Sequence, residues 1–403
     1  MPKLAGRDAC TGCSACLAAC PRSCISMERD EEGFLQPVIG DGCIECGTCS
    51  RVCPIINGMR GNSSEGQTAV AAIAKDEKVW ESSSSGGAFT CVCEEFSAMG
   101  PDAETIVYGA EMVFPKVKHM RHHVSDIAPL RRSKYVQSDM GTTFSDVRAD
   151  LRAGHRVVFS GTPCQVAGLA SFLGNRASSP NLLLVDLICH GVGSPAFFEA
   201  CMASESKRLG KVVGYSFRNK VPLVGNYERY LSRYEYLDRY LNERTRYERV
   251  DDYNKFFLSQ LCLRRSCAES CPFRTRERFG DITLADLNGR GELFPWLEDA
   301  KGWSTVIAST DKGREVVAHL GTTMELLPIT TDDVARFNPL FERTTPGNPR
   351  RDEFFSDWLG GADIKTLVRK YWTSPSIPER LLRYVPHPLK VVARRALGKV
   401  AGR

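Results

Sequence analysis

Cys10, Cys13, Cys16 and Cys20 stand at C-x2-C-x2-C-x3-C with Pro21 behind them. Cys43, Cys46, Cys49, Cys53 and Pro54 repeat that pattern 33 residues later. Thiolates this close in sequence reach neighbouring irons of one 4Fe–4S cube, three per run, while the fourth Cys of each run ligates the other cube. Cluster one then takes Cys10, Cys13, Cys16 and Cys53, and cluster two takes Cys43, Cys46, Cys49 and Cys20. C-x2-C pairs also suit zinc; two full runs, each closed by Pro, favour cubes. Cys24 has no slot and reads as a small buried packing residue.

A third group, Cys262, Cys267 and Cys271, has the spacing C-x4-C-x3-C with Pro272 behind it. Three thiols without a local fourth suggest a third 4Fe–4S cluster completed from a distance, with a structural zinc as the alternative. Cys164 is the preferred fourth ligand and Cys189 the alternative. Cys91, Cys93 and Cys201 fall in helical patterns and read as packing residues. His190 can serve as a proton donor near neutral pH, with a structural role as its alternative.

These residues need elements to position them. The apolar spacing of Phe144, Val147 and Leu151 gives a helix from Thr143. Arg156–Ser160 reads as a buried strand, Gly161-Thr-Pro-Cys164 as a turn, Gln165–Leu173 as a helix and Leu182–Ile188 as the next strand. That is a βαβ unit with parallel strands, whose ligands sit beyond the carboxyl ends, where Cys164 and Cys189-His190-Gly191 fall. Thr68–Ala74 is a further strand, followed by Ser82–Gly87, a loop opening a helix whose N–H groups suit an anion. Tyr215–Tyr253, rich in Tyr, Arg and Glu, is expected to form a surface helix.

The whole chain has 403 residues, 17 of them Cys, with 42% apolar and 25% charged residues, which excludes disordered and fibrous classes. No apolar run reaches the roughly 18 residues of a membrane span. No secretory h-region is visible, so a cytoplasmic location is expected, where many cysteines mean metal or redox chemistry. The net charge of +5 is uneven, because 365–403 holds ten Lys and Arg against the single acidic Glu379. The remainder is therefore net acidic, and no nucleic-acid partner is expected. Within this tail, 386–403 can form a short basic amphipathic helix suited to peripheral contact with an anionic membrane, or one packed on the body.

The two Cys runs, Ser84-Ser-Gly-Gly-Ala-Phe-Thr90, Lys134-Tyr-Val-Gln-Ser138, Gly161-Thr-Pro-Cys-Gln165, Asp186-Leu-Ile-Cys-His-Gly191 and Asp281-Ile-Thr283 occur in this order. With them the chain resembles the coenzyme F420 hydrogenase/dehydrogenase beta-subunit family over roughly residues 5–320. The resemblance implies an α/β fold with an N-terminal α+β ferredoxin-like domain and a parallel-containing central sheet flanked by helices. The expected division is 1–60 two-cluster domain, 61–155 first part of the flavin-binding region, 156–325 catalytic region with the third Cys group, and 326–403 basic helical extension. It also implies FAD, bound around Ser85, Gly86, Gly87, Tyr135, Gln137, Ser138, Gly161, Thr162 and Gln165. The implied activity is an oxidoreductase passing electrons between the clusters, FAD and a coenzyme F420-like or other organic substrate; some relatives belong to surface-polysaccharide pathways. The rival reading is a non-catalytic electron-transfer subunit docked on a redox partner protein. Ser270 and Ala285-Asp-Leu-Asn-Gly289 depart from the family's pattern around the third Cys group.

Overall fold

The computed structural model describes residues 2–373, leaving out 224–225, 298–300 and 345. The basic segment 386–403 therefore lies outside the described residues. Among those residues, no helix is long and apolar enough to cross a membrane.

The first sixty residues form an antiparallel hairpin, β1 (Ile25–Arg29) and β2 (Leu35–Ile39), with short helices beside it. The 33-residue repeat is written into the backbone. Gly12 and Ser14 take left-handed conformations (φ 66° and 67°), and so do their counterparts Glu45 and Gly47 (φ 53° and 69°). Each pair sits between cysteines of its run and curls the chain so that successive thiols face one void.

Beyond this unit lies a mixed sheet of eight strands: β3 (Thr68–Ala74), β4 (Thr105–Val113), β5 (Lys116–His123), β6 (Arg156–Ser160), β7 (Leu182–Leu187), β11 (Ile282–Asp286), β12 (Ser304–Ala308) and β13 (Met324–Ile329). Their order is β13-β3-β12-β11-β7-β6-β4-β5. The central four, β11, β7, β6 and β4, are parallel, and antiparallel strands close both edges. Alternation explains the layers. Val107, Val158, Leu183 and Val185 pack under the helix Ala88–Ala98, while Ile106, Val157, Phe159, Leu182 and Leu184 meet the helices Thr143–Arg152 and Pro163–Leu173. The expected βαβ unit is present with its strand Arg156–Ser160 unchanged, the fold class holds, and Cys91, Cys93 and Cys201 are buried in helices.

One expected element is different. The Tyr215–Tyr253 stretch is a three-stranded antiparallel meander, β8 (Lys211–Leu223), β9 (Asn226–Leu237) and β10 (Glu243–Glu248). Its inward rings, Tyr215, Phe217 and Tyr234, join a core of aromatics with Phe197, Phe198 and Tyr253. The period is two rather than 3.6; the Arg and Glu of β10 are exposed or half-buried, while Arg218 on β8 is buried and paired with Asp286.

Candidate iron–sulfur sites

Three thiol sets converge, each around its own void. Cys10, Cys13, Cys16 and Cys53 rim the first, together with Leu4, Met27 and Ile55. Cys20, Cys43, Cys46 and Cys49 rim the second. These are the two crossed sets expected from the spacing. Cys46 and Ile44 are exposed at the second void, so this end of the protein meets solvent. Cys24 corrects its sequence reading: it is half-buried, lines the second void, and its Sγ lies 3.4 Å from that of Cys20.

The third void lies at the carboxyl ends of β6 and β7. Cys164, Cys189, Cys267 and Cys271 line it, with Thr11, Gln137, Thr162, Gln165, Ser266 and Arg274. Both fourth-ligand candidates therefore face the same space. Cys262 does not line it. Its thiol sits fully buried in the aromatic core beside Tyr253 and Cys201, and burial pushes its pKa up to about 12. The reason is local: Leu263 bridges antiparallel to Gly193, holding Cys262 against the core, and the short helix Arg265–Glu269 then turns Cys267 into the void. The expected set Cys262, Cys267, Cys271 and Cys164 becomes Cys164, Cys189, Cys267 and Cys271.

Among the described residues no three His, Cys, Asp or Glu side chains converge closely enough for a single metal ion; each thiol set instead rims a void. Four thiols around a space is the donor chemistry of an iron–sulfur cube. Burial raises the pKa of Cys164 and Cys189, and the neighbouring thiols raise it further; Cys271 is pushed up to about 11 by burial and Cys267. Cys13 and Cys16 are each pushed up to about 12, chiefly by burial. Such thiols give up their protons to a bound metal rather than to water.

The first and third voids share a wall. Thr11 lines both, and Gly168, on the helix that starts beside Cys164, packs so closely that an added Cβ would lie 2.9 Å from Cys13 Sγ. Arg264 Nε (2.7 Å) and Ser266 Oγ (3.2 Å) both donate to the Cys10 carbonyl, tying the third Cys group to the first cluster loop.

A buried clamp steadies the loops that carry Cys189 and Cys271. Asp186 on β7 accepts from Arg278 Nη2 (3.1 Å), Thr283 Oγ1 (2.5 Å), and the backbone N–H groups of Phe279 (3.2 Å) and Gly280 (3.1 Å). Asp281 answers across the sheet by accepting from Leu184 N–H at 2.8 Å. Both motif carboxylates are thus structural.

The residues expected around FAD mostly have partners within the protein. Ser85 Oγ donates to the Trp303 carbonyl, and Gly86 N–H to Ser304 Oγ. A Cβ on Gly86 would sit 2.3 Å from the Ala72 carbonyl, so this glycine lets the loop lie on the sheet. Gly87 starts the following helix at φ 93°. Tyr135 stacks on Phe257 at 4.5 Å. Gln165 forms a capping box with Thr162 and donates to Ser138 Oγ; Gly161 N–H pairs with the Val185 carbonyl. His119, missed in the sequence, completes this network: Nε2–H donates to the Ser160 carbonyl at 3.1 Å, which leaves Nδ1 to accept from Ser138 at 2.9 Å. Among the fully buried polar side-chain atoms of these residues, the Gln137 amide nitrogen lacks a partner, and it belongs to the cysteine void. His190 Nε2 is buried without a partner, and burial beside Arg274 lowers its pKa.

Two family models match separate parts of the chain. Residues 154–331 match the family model for the C-terminal part of the coenzyme F420 hydrogenase/dehydrogenase beta subunit, and residues 9–57 match the model "4Fe-4S dicluster domain". A curated relative, the F chain of the F(420)H(2) dehydrogenase of Methanosarcina mazei, is 24% identical over 201 residues, covering 47% of this chain and 56% of the relative. The match thus spans little more than half of that relative's length. A solved structure, the F420-reducing [NiFe] hydrogenase complex from Methanosarcina barkeri, aligns over 77% of this chain and 93% of the matched chain, at 16% identity and a TM-score of 0.38.

Proposed function

This chain belongs to the coenzyme F420 hydrogenase/dehydrogenase beta-subunit family, and on that premise we propose that it is an iron–sulfur electron-transfer protein working within an oxidoreductase assembly. Iron–sulfur clusters held at the three thiol sets supply one-electron exchange between a partner and a buried terminus. The observation that carries this reading is the shared wall: Thr11 lines both the first and the third thiol voids.

The chain's own residues perform three tasks. Cys46 and Ile44 leave the second set open to a redox partner. Met27, Ile55 and Phe273 keep water from the first and third sets, which lowers the local dielectric and the reorganisation around the metal. Arg264 and Ser266 lock the two-cluster unit to the body through the Cys10 carbonyl, so the sets stay in fixed order.

The organic redox substrate in this reading is coenzyme F420 or a similar deazaflavin, the class in the name of the relative. No step is assigned to FAD. Anaerobic reconstitution, iron analysis and extraction of any bound flavin test the proposal, followed by a steady-state assay with reduced deazaflavin. About twelve irons per chain are expected. About eight irons would remove the third set from the account. Turnover by the isolated chain would make it an enzyme in its own right, and turnover only with a partner would make it a docked carrier.

A further inference from the structure

Buried polar groups nearly always find partners, because an unmade hydrogen bond in a dry site costs about 1–3 kcal/mol. The wall of the third void breaks that rule three times. Gln137 is 3% exposed, Arg274 8% and Thr11 8%, and Gln137 Nε2, Arg274 Nε and Thr11 Oγ1 have no partner. All three residues line the void with Cys164, Cys189, Cys267 and Cys271.

Their orientation is not accidental. Gln137 Oε1 accepts from the Leu35 backbone N–H at 2.9 Å, which settles the amide and leaves its NH2 group free. That NH2 group lies where residue 12 has no side chain: a Cβ on Gly12 would stand 2.2 Å from Gln137 Nε2. Arg274 is anchored by Nη2 to the His190 carbonyl at 2.8 Å, and its Nε remains unspent. Gln137 and Arg274 are therefore each held through one atom and offer a donor from another.

We propose that Gln137, Arg274 and Thr11 are positioning donors for the sulfur atoms of the cluster bound at Cys164, Cys189, Cys267 and Cys271, and that they raise its reduction potential. The proposal rests on the reading of that set as an iron–sulfur site. A cluster gains negative charge on reduction, so N–H and O–H donors and the Arg274 cation stabilise the reduced form more than the oxidised one. The third centre is thereby made a better electron acceptor than it would be in an apolar pocket of the same shape.

The test is redox titration of the reconstituted full chain, followed by EPR, for wild type, Gln137→Met, Arg274→Met and Arg274→Lys. Gln137→Met and Arg274→Met should each shift the third centre's reduced-to-oxidised ratio at fixed potential about threefold toward the oxidised form, ~30 mV for one electron. Arg274→Lys, which keeps the charge, should recover part of the shift, and cluster two should not move. Pulsed EPR in D2O should show exchangeable protons coupled to the third centre in wild type, with one coupling lost in Gln137→Met. A third centre present at full iron with its potential and proton coupling unchanged in both methionine variants overturns the proposal alone. Wild-type protein with only about eight irons overturns the underlying site reading, and the proposal with it.

Discussion

Replacing Asp186 by Ala removes the acceptor of four hydrogen bonds at the centre of the sheet and strands a cation. The Asp186 and Arg278 side chains are 0% and 1% exposed. Breaking a buried ion pair by deleting one partner costs about 3–5 kcal/mol. Arg278 keeps bonds to the Leu187 carbonyl (2.9 Å) and the Thr275 carbonyl (3.2 Å), which places the cost near the lower end, about 3 kcal/mol. At roughly 2–4 °C per kcal/mol for a unit of this size, the thermal midpoint should fall by about 10 °C. Because the clamp fixes the loops after β7 and Cys271, the third thiol set should also lose iron before the other two. Anaerobic thermal unfolding by circular dichroism, with iron counted before and after a mild heat step, measures both. Asp186→Asn keeps the shape but not the charge, and should fall between wild type and Ala. A midpoint within about 2 °C of wild type for Asp186→Ala would refute the claim that this carboxylate holds the site.

Other consequences are open to simpler checks. Cys262→Ser should keep the full iron content, since its thiol faces Tyr253 and Cys201 rather than the third void, and iron analysis decides this. Gly168→Ala should lower occupancy of the first site selectively, because the new methyl meets Cys13 Sγ at 2.9 Å; cluster-resolved EPR would show it. Burial lowers the His119 pKa from 6.5 to about 4. The unfolded chain then binds the extra proton, so stability falls as pH drops from about 6.5 to 4, by about 3 kcal/mol at the floor. Denaturant midpoints of wild type and His119→Gln across that window should show a shallower fall in the variant.

The sequence spoke most clearly where a pattern and a mechanism coincide. The Cys repeat specifies its crossed sets through spacing alone, and left-handed Gly12, Ser14, Glu45 and Gly47 carry that spacing into the backbone. The βαβ unit was legible because Arg156–Ser160 and Leu182–Leu187 are short apolar runs around a helix with one apolar face. The meander was not, because Tyr, Arg and Glu suit an exposed helix as well as an outward-facing strand, and only the alternation of Tyr215 and Phe217 inward separates them. Cys262 misled because spacing along the chain does not say which way an extended residue points. Thr11, Gln137 and Arg274 gave no signal as a group: 263 residues separate the first from the last, and only the fold brings them to one wall.

Iron at the third thiol set is the most direct point of test. Wild type and Cys189→Ser should be reconstituted anaerobically and their iron counted, with EPR of the dithionite-reduced proteins. The expected result is about twelve irons in wild type and about eight in the variant, with one EPR component lost. About eight irons in both proteins, with identical spectra, would contradict it.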